Sequence, residues 1–189
     1  RHGQTLFNKR HRIQGWCDAP LTDLGVYQAQ VAGQYFKNAG ITFDAAYSST
    51  SERACDTLEI VTNGSLPYQR VKGLKEWNFG TFEGESEDLN PPLPYEDFFV
   101  TYGGESQDQV RERMAATILQ LMQETKGKSV LMVSHGGAMA NFARAWEDNW
   151  RLDNLGHMTN CGILKFSFEA DQFYLEEAIG HDFSGWEEK

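Results

Sequence analysis

Leu24, Tyr27, Val31 and Tyr35 recur at steps of three, four and four, the spacing that gathers apolar side chains on one face of an α-helix. Thr22 stands where an N-cap belongs, and Gly40 marks the end. Residues 43–47 read as a short strand, and Ser48-Ser49-Thr50-Ser51 as a polar turn into a second helix carrying Arg53, Ala54, Thr57, Leu58 and Val61. Residues 71–76 suggest another strand, leading to a glycine-punctuated loop at 78–84. Ser106 then caps a long helix with Val110, Met114, Ile118 and Leu121 on one face. Residues 129–133 are a largely apolar run, the signature of a strand buried on both faces. After Ser134-His135-Gly136-Gly137 the helical pattern resumes over 138–146. Leu164, Phe166 and Phe168 alternate as a strand does, and residues 173–179 form its expected hairpin partner.

Strands and helices that alternate in this way predict an α/β protein: a three-layer α/β/α sandwich with a mostly parallel, mixed central sheet. A chain of 189 residues is expected to form one domain. Residues 84–105 interrupt the pattern with Glu85, Glu87, Asp88, Glu96 and Asp97 set among prolines and aromatics. No Lys or Arg occurs between Glu76 and Val110. We read this acidic stretch as a lid-like insert over a site.

Composition narrows the function. With 17 Lys and Arg against 27 Asp and Glu, the net charge of -10 speaks against nucleic acid or an anionic membrane as partner. An anionic ligand must therefore meet a locally built positive field. Cys17, Cys55 and Cys161 form no paired spacing, so neither a disulfide framework nor a metal site is expected, and a reducing cytoplasm fits. No apolar run approaches the roughly 20 residues of a membrane span, and no signal peptide is visible. The sequence opens without Met on a loop-like Arg-His-Gly, from which we expect a short apolar strand ahead of Arg1.

The candidate chemistry stands at the ends of these elements. Arg1-His2-Gly3 joins a nucleophile, an anion clamp and flexible backbone. Arg53 falls in a first helical turn, where a cation opposes the helix dipole and invites an anion. Glu76 lies at a strand exit, and His135 between a buried strand and a helix N-terminus, where open α/β sheets place their ligands. Gln14 and Trp16 lie in an aperiodic loop, free to face a ligand. No cysteine is followed by an arginine six residues on, and neither G-x-S-x-G nor H-E-x-x-H occurs. Cysteine phosphatase, serine hydrolase and zinc protease chemistries are thereby set aside.

Arg1-His2-Gly3-Gln4-Thr5 with Asn8, the stretch Gln14-Gly15-Trp16-Cys17-Asp18-Ala19-Pro20-Leu21-Thr22, Tyr47-Ser48-Ser49 through Arg53-Ala54-Cys55-Asp56-Thr57, Glu76 with Gly80 and Phe82-Glu83-Gly84, and Ser134-His135-Gly136-Gly137 together resemble the histidine phosphatase superfamily, in its phosphoglycerate-mutase-like branch. The resemblance runs in the family's order to about residue 140. It implies that His2 attacks phosphorus to give a phosphohistidine, with no metal and no cofactor. Arg1 and Arg53 hold phosphoryl oxygens, a protonated His135 adds charge, and Glu76 serves as general acid and then base. Asn8, Gln14, Gly15 and Gly136 match positions lining the phosphate or substrate pocket. The expected partner is a small phosphorylated substrate, and a homo-oligomer is compatible with the sequence. Because the insert carries no cation to grip a second anionic group, a phosphomonoesterase is favoured over a phosphoglycerate mutase. A catalytically silent phosphate- or phosphoprotein-binding module is the alternative of another class.

Overall fold

Three parallel strands, β1 (Ala45–Ser49), β2 (Gln69–Val71) and β3 (Val130–Val133), lie side by side in the order β2-β1-β3. The computed structural model describes residues 1–125 and 128–187. In the β1–β3 register Ala45 faces Val130 and Ser48 faces Val133. Period-two alternation sends Leu131, Val133 and Ala46 to one face, against Ala54 and Leu58, while Tyr47, Val130 and Met132 pack on the other. After the single-turn α1 (Leu6–Lys9), helices α2 (Asp23–Asn38) and α3 (Glu52–Thr62) cover the first face. Helices α4 (Gln107–Glu124) and α5 (Gly136–Arg144) cover the second, where Val110, Met114, Ala138 and Phe142 meet the sheet's apolar side chains. The result is an α/β fold of three layers about a parallel central sheet.

The caps behave as the sequence predicts. Thr22 Oγ1 accepts from Gly25 N at 3.0 Å, and Ser106 forms a reciprocal capping box with Gln109. Two boundaries differ. Ser48 and Ser49 complete β1 instead of turning, because strands on both sides satisfy their backbone groups. β2 stops at Val71, and the tight turn Lys72–Leu74 follows, so Glu76 lies beyond a turn and not at a strand exit.

The hairpin of β4 (Ile163–Glu169) and β5 (Gln172–Ile179) is antiparallel and reverses at Ala170 and Asp171, whose φ values are 51° and 61°. It stands beside the central sheet as a sheet of its own. Between β3 and β4 runs an apolar cavity of about 620 Å³, walled by Leu131, Val133, Ile163, Leu164 and Phe166. Arg1 and His2 bridge one end of this gap: His2 N donates to Ser134 O at 3.0 Å, Cys161 N to His2 O at 3.2 Å, and the main-chain nitrogen of Arg1 to Gly162 O at 2.9 Å.

The aromatic residues of the insert mostly pack on one another. Phe99 is fully buried among Trp77, Phe79, Phe82, Tyr95 and Phe98. Edge-to-face contacts of this kind hold the insert down. Tyr95, Trp77 and Phe79 also reach the wall of a second cavity, of mixed lining, that opens over His2.

Candidate active site

The candidate side chains gather at the carboxyl ends of β1 and β3. Ser49 closes β1 and Ser134 and His135 follow β3, while His2 is drawn to the same edge by its bond to Ser134 O. The rings of His2 and His135 meet edge to face with centroids 5.2 Å apart. His2 Nδ1 lies 2.7 Å from Gly3 O. A carbonyl only accepts, so Nδ1 carries the proton and the Nε2 lone pair is left for a ligand. Burial, and then the charges of Arg53 and Arg1, hold the His2 pKa well below its ordinary value, which keeps the ring neutral.

His135 departs from expectation. Burial, followed by Arg53 and His2, lowers its pKa well below the ordinary value, so in the free protein it is neutral and not a cation. Its Nε2 pairs with Ser49 Oγ at 2.8 Å, and its Nδ1 is buried without a partner.

Arg53 is fully buried, yet it is well satisfied at its fork. Its Nη2 donates to Gly15 O at 2.8 Å, and its Nη1 to Cys17 O at 2.9 Å and Asp18 Oδ1 at 2.8 Å. Only Nε lacks a partner. Thr57 Oγ1, one turn along α3, donates to Arg53 O at 2.7 Å and accepts from Gly3 N at 3.0 Å, tying the helix to the loop that carries His2.

Glu76 caps α5. Its carboxylate accepts from Gly137 N at 2.9 Å, Ala138 N at 2.6 Å and Trp77 N at 2.8 Å. A side chain at position 137 would meet Glu76 Oε1 at 2.8 Å, so glycine is what lets the carboxylate reach the helix end. The Glu76 carbonyl is held in turn by Trp16 Nε1 at 3.0 Å and Arg113 Nη2 at 3.1 Å.

The second cavity measures about 750 Å³ and is walled by Arg1, His2, Asn8, Gln14, Glu76 and Gly136 among others. Six of the nine residues predicted for the site are therefore on its wall. Arg53 and His135 lie beneath it, each 0% exposed, in electrostatic contact with His2. Gly15 is the residue the structure does not bring to the wall: its N–H faces Glu83 and its carbonyl faces Arg53. Among the described residues no cluster of three or more His, Cys, Asp or Glu is arranged to hold a metal.

Residues 1–179 match the sequence pattern of the histidine phosphatase superfamily, branch 1. The chain belongs to that superfamily. Within it, the 2,3-bisphosphoglycerate-dependent phosphoglycerate mutase of Parvibaculum lavamentivorans is 30% identical over 164 residues, which cover 74% of this chain and 73% of the relative. The metal-independent phosphoserine phosphatase of Arabidopsis thaliana is 27% identical over 207 residues, covering 90% of this chain and 86% of that protein. Among solved structures, phosphoserine phosphatase from Entamoeba histolytica in complex with 3-phosphoglyceric acid superposes with a TM-score of 0.78 at 28% identity, covering 96% and 94% of the two chains. The superfamily relatives thus include both mutases and phosphatases. Among the described residues no helix is long and apolar enough to cross a membrane.

Several residues that build this histidine phosphatase site carried no signal in the sequence. Arg113, on the long helix assigned only a core role, forks onto Glu105 at 2.8 Å twice and caps the carbonyls of Gly73 and Lys75 at 2.9 Å. Asn160 donates to His2 O at 3.1 Å and to Asn8 Oδ1 at 3.2 Å across some 150 residues of chain. No spacing along the sequence links any of these to its partner.

Proposed function

We propose that the chain is a phosphomonoesterase that hydrolyses a small phosphorylated metabolite through a phosphohistidine on His2. The observation that carries this reading is the Nδ1–H bond of His2 to Gly3 O, which fixes a neutral ring with its Nε2 lone pair unspent. In the first step Nε2 bonds to phosphorus and the bond from phosphorus to the ester oxygen breaks, with Glu76 supplying the proton that oxygen takes up. In the second, the Glu76 carboxylate takes a proton from water as its oxygen bonds to phosphorus, the P–N bond breaks, and phosphate leaves. Arg1 at the wall and Arg53 beneath it each keep a buried, unpaired Nε that suits a phosphoryl oxygen. A phosphate-binding module would need the arginines but has no use for a tautomer-fixed nucleophile beside a carboxylate. The phosphoserine phosphatase relatives support hydrolysis of a small phosphomonoester.

A second reading, a phosphoglycerate mutase, draws on a specific observation. The insert is free of Lys and Arg, but Arg12 and Arg144 reach the cavity from other elements. The lack of cations in the insert is therefore no argument against a second anionic group on the substrate, and the mutase relatives are consistent with one.

Rapid-quench labelling with a phosphomonoester panel tests the first reading. An acid-labile, base-stable phosphoryl group on His2, lost in His2→Ala with the fold retained, is expected. Phosphate binding without any labelling by every ester in the panel would favour the binding module. Isomerisation of 3-phosphoglycerate in the presence of a bisphosphate primer, in place of its hydrolysis, would select the mutase.

A further inference from the structure

Glu83 has no assigned part in the chemistry above, yet its carboxylate is the most heavily bonded anion near the site. Oε1 accepts from Trp16 N at 2.6 Å and Phe79 N at 3.1 Å, and Oε2 accepts from Gly15 N and Cys17 N at 3.0 Å each. All four of these donors are backbone N–H groups, and the Cys17 side chain and the charge of Lys75 also act on the carboxylate. Three of its four donors are consecutive residues of one loop, and that loop's opposite side faces Arg53. The peptide unit between Gly15 and Trp16 is shared: its N–H points to Glu83 Oε1, and its carbonyl accepts from Arg53 Nη2 at 2.8 Å. The next carbonyl in the loop, that of Cys17, takes Arg53 Nη1 at 2.9 Å.

We infer that Glu83 is a positioning residue for phosphoryl transfer, acting on Arg53 through the 15–17 loop. An anion on the N–H side of a peptide raises the negative charge on its carbonyl oxygen, and so strengthens the bond that oxygen makes to a cation. Glu83 and Arg53 thus clamp the loop from its two sides, and the loop fixes the Arg53 fork through two carbonyls. With both Nη groups held, the guanidinium plane is set and the unpaired Nε has one direction in which to meet a phosphoryl oxygen. Glu83 touches no reacting atom. Its influence is on where Arg53 puts its charge when the transition state forms.

The inference rests on the proposed phosphoryl chemistry, and a double-mutant cycle separates the two. In Glu83→Gln one acceptor oxygen becomes an NH₂ that faces backbone N–H groups. Turnover is expected to fall by about 10- to 100-fold, the loss that a misplacement of order 1 Å causes. Because Arg53 meets the phosphoryl group and not the leaving group, the factor should be the same for p-nitrophenyl phosphate and for an alkyl phosphomonoester. In the Arg53→Ala background Glu83→Gln should cost less than about twofold, since the group it positions is gone. Glu83→Asp keeps the charge and should recover part of the activity. All assays are run well below each variant's measured melting temperature, so that lost stability alone does not register. Losses that multiply in the double mutant, or turnover in Glu83→Gln within twofold of the parent, would overturn the inference. Should Glu83→Gln not fold, the same cycle is run with Glu83→Asp. If the parent hydrolyses no ester, the proposed function fails, and the same cycle read by vanadate binding still decides whether Glu83 acts through Arg53.

Discussion

Replacing Arg113 with Met keeps most of the side chain's stem and removes its charged fork. Five bonds go: two to the Glu105 carboxylate at 2.8 Å and one each to the carbonyls of Gly73, Lys75 and Glu76 at 2.9 to 3.1 Å. Arg113 and Glu105 are only 20% and 17% exposed, so the remaining carboxylate keeps little access to water and retains only the Asn78 N–H at 2.9 Å. Breaking such a pair from one side costs about 3 to 5 kcal/mol, much of it the penalty of the orphaned charge. That is a large share of the roughly 5 to 15 kcal/mol that holds a domain folded. At about 2 to 4 °C per kcal/mol for a chain of this size, the melting temperature should drop by about 6 to 20 °C. Arg111→Met is the control: its exposed pair with Asp108 spans one helical turn and should cost less than about 1 kcal/mol. Arg113 also pins the stretch that carries Glu76. At a temperature where both variants are folded, Arg113→Met should therefore slow an alkyl phosphomonoester more than p-nitrophenyl phosphate, whose leaving group needs little protonation. Thermal melts followed by circular dichroism and steady-state kinetics read the two effects. A melting temperature within about 2 °C of the parent would refute the stability argument, and equal slowing of both esters would refute the link to Glu76.

Glu76→Gln should slow alkyl esters by about 100-fold or more, and p-nitrophenyl phosphate much less, the pattern of a lost general acid; equal losses would remove Glu76 from that role. His2 and His135 are held neutral with pKa values below the ordinary 6.5, so the unfolded chain binds more protons than the folded one between those lowered values and 6.5. Their stabilising contribution is full above about pH 6.5 and is lost as the pH falls through that window, by about 1.4 kcal/mol per unit for each group. Melting temperatures measured from pH 8 to pH 4 should show that decline, and His135→Asn should flatten it; an unchanged slope would count against a neutral buried His135. A Cβ at Gly15 would run into the Trp77 carbonyl oxygen and come within 2.5 Å of Glu83 Oε1, so Gly15→Ala should cost several-fold in activity and lower the melting temperature, whereas an unaffected variant would mean the loop can shift without consequence.

The long helices and the hairpin were legible because their signals are local. Leu24, Tyr27, Val31 and Tyr35 state a helix by spacing alone, and Thr22 and Ser106 state its start by their own hydroxyls. The Ser48-Ser49 pair misled for the same reason: read locally it is a turn, and only two flanking strands make it a strand. Aromatic residues of the insert read equally well as ligand contacts or as packing, and Phe99, buried among five other rings, shows packing to dominate there.

By itself the sequence determined the alternation of strands and helices, the placing of His2, Arg53 and His135 at element ends, and a net charge of -10. Those follow from side-chain periodicity and from residue types at fixed short spacings. The tertiary structure alone decided that His135 is buried and held uncharged, that Gly15 faces Glu83 and Arg53 and not the cavity, that Arg12 and Arg144 reach the cavity wall, and that Glu83 and Arg113 bind the backbone of residues 15–17 and 73–76. Charge state depends on burial, and a carboxylate's worth depends on which N–H groups converge on it from across the chain. Neither quantity exists until the chain has closed on itself.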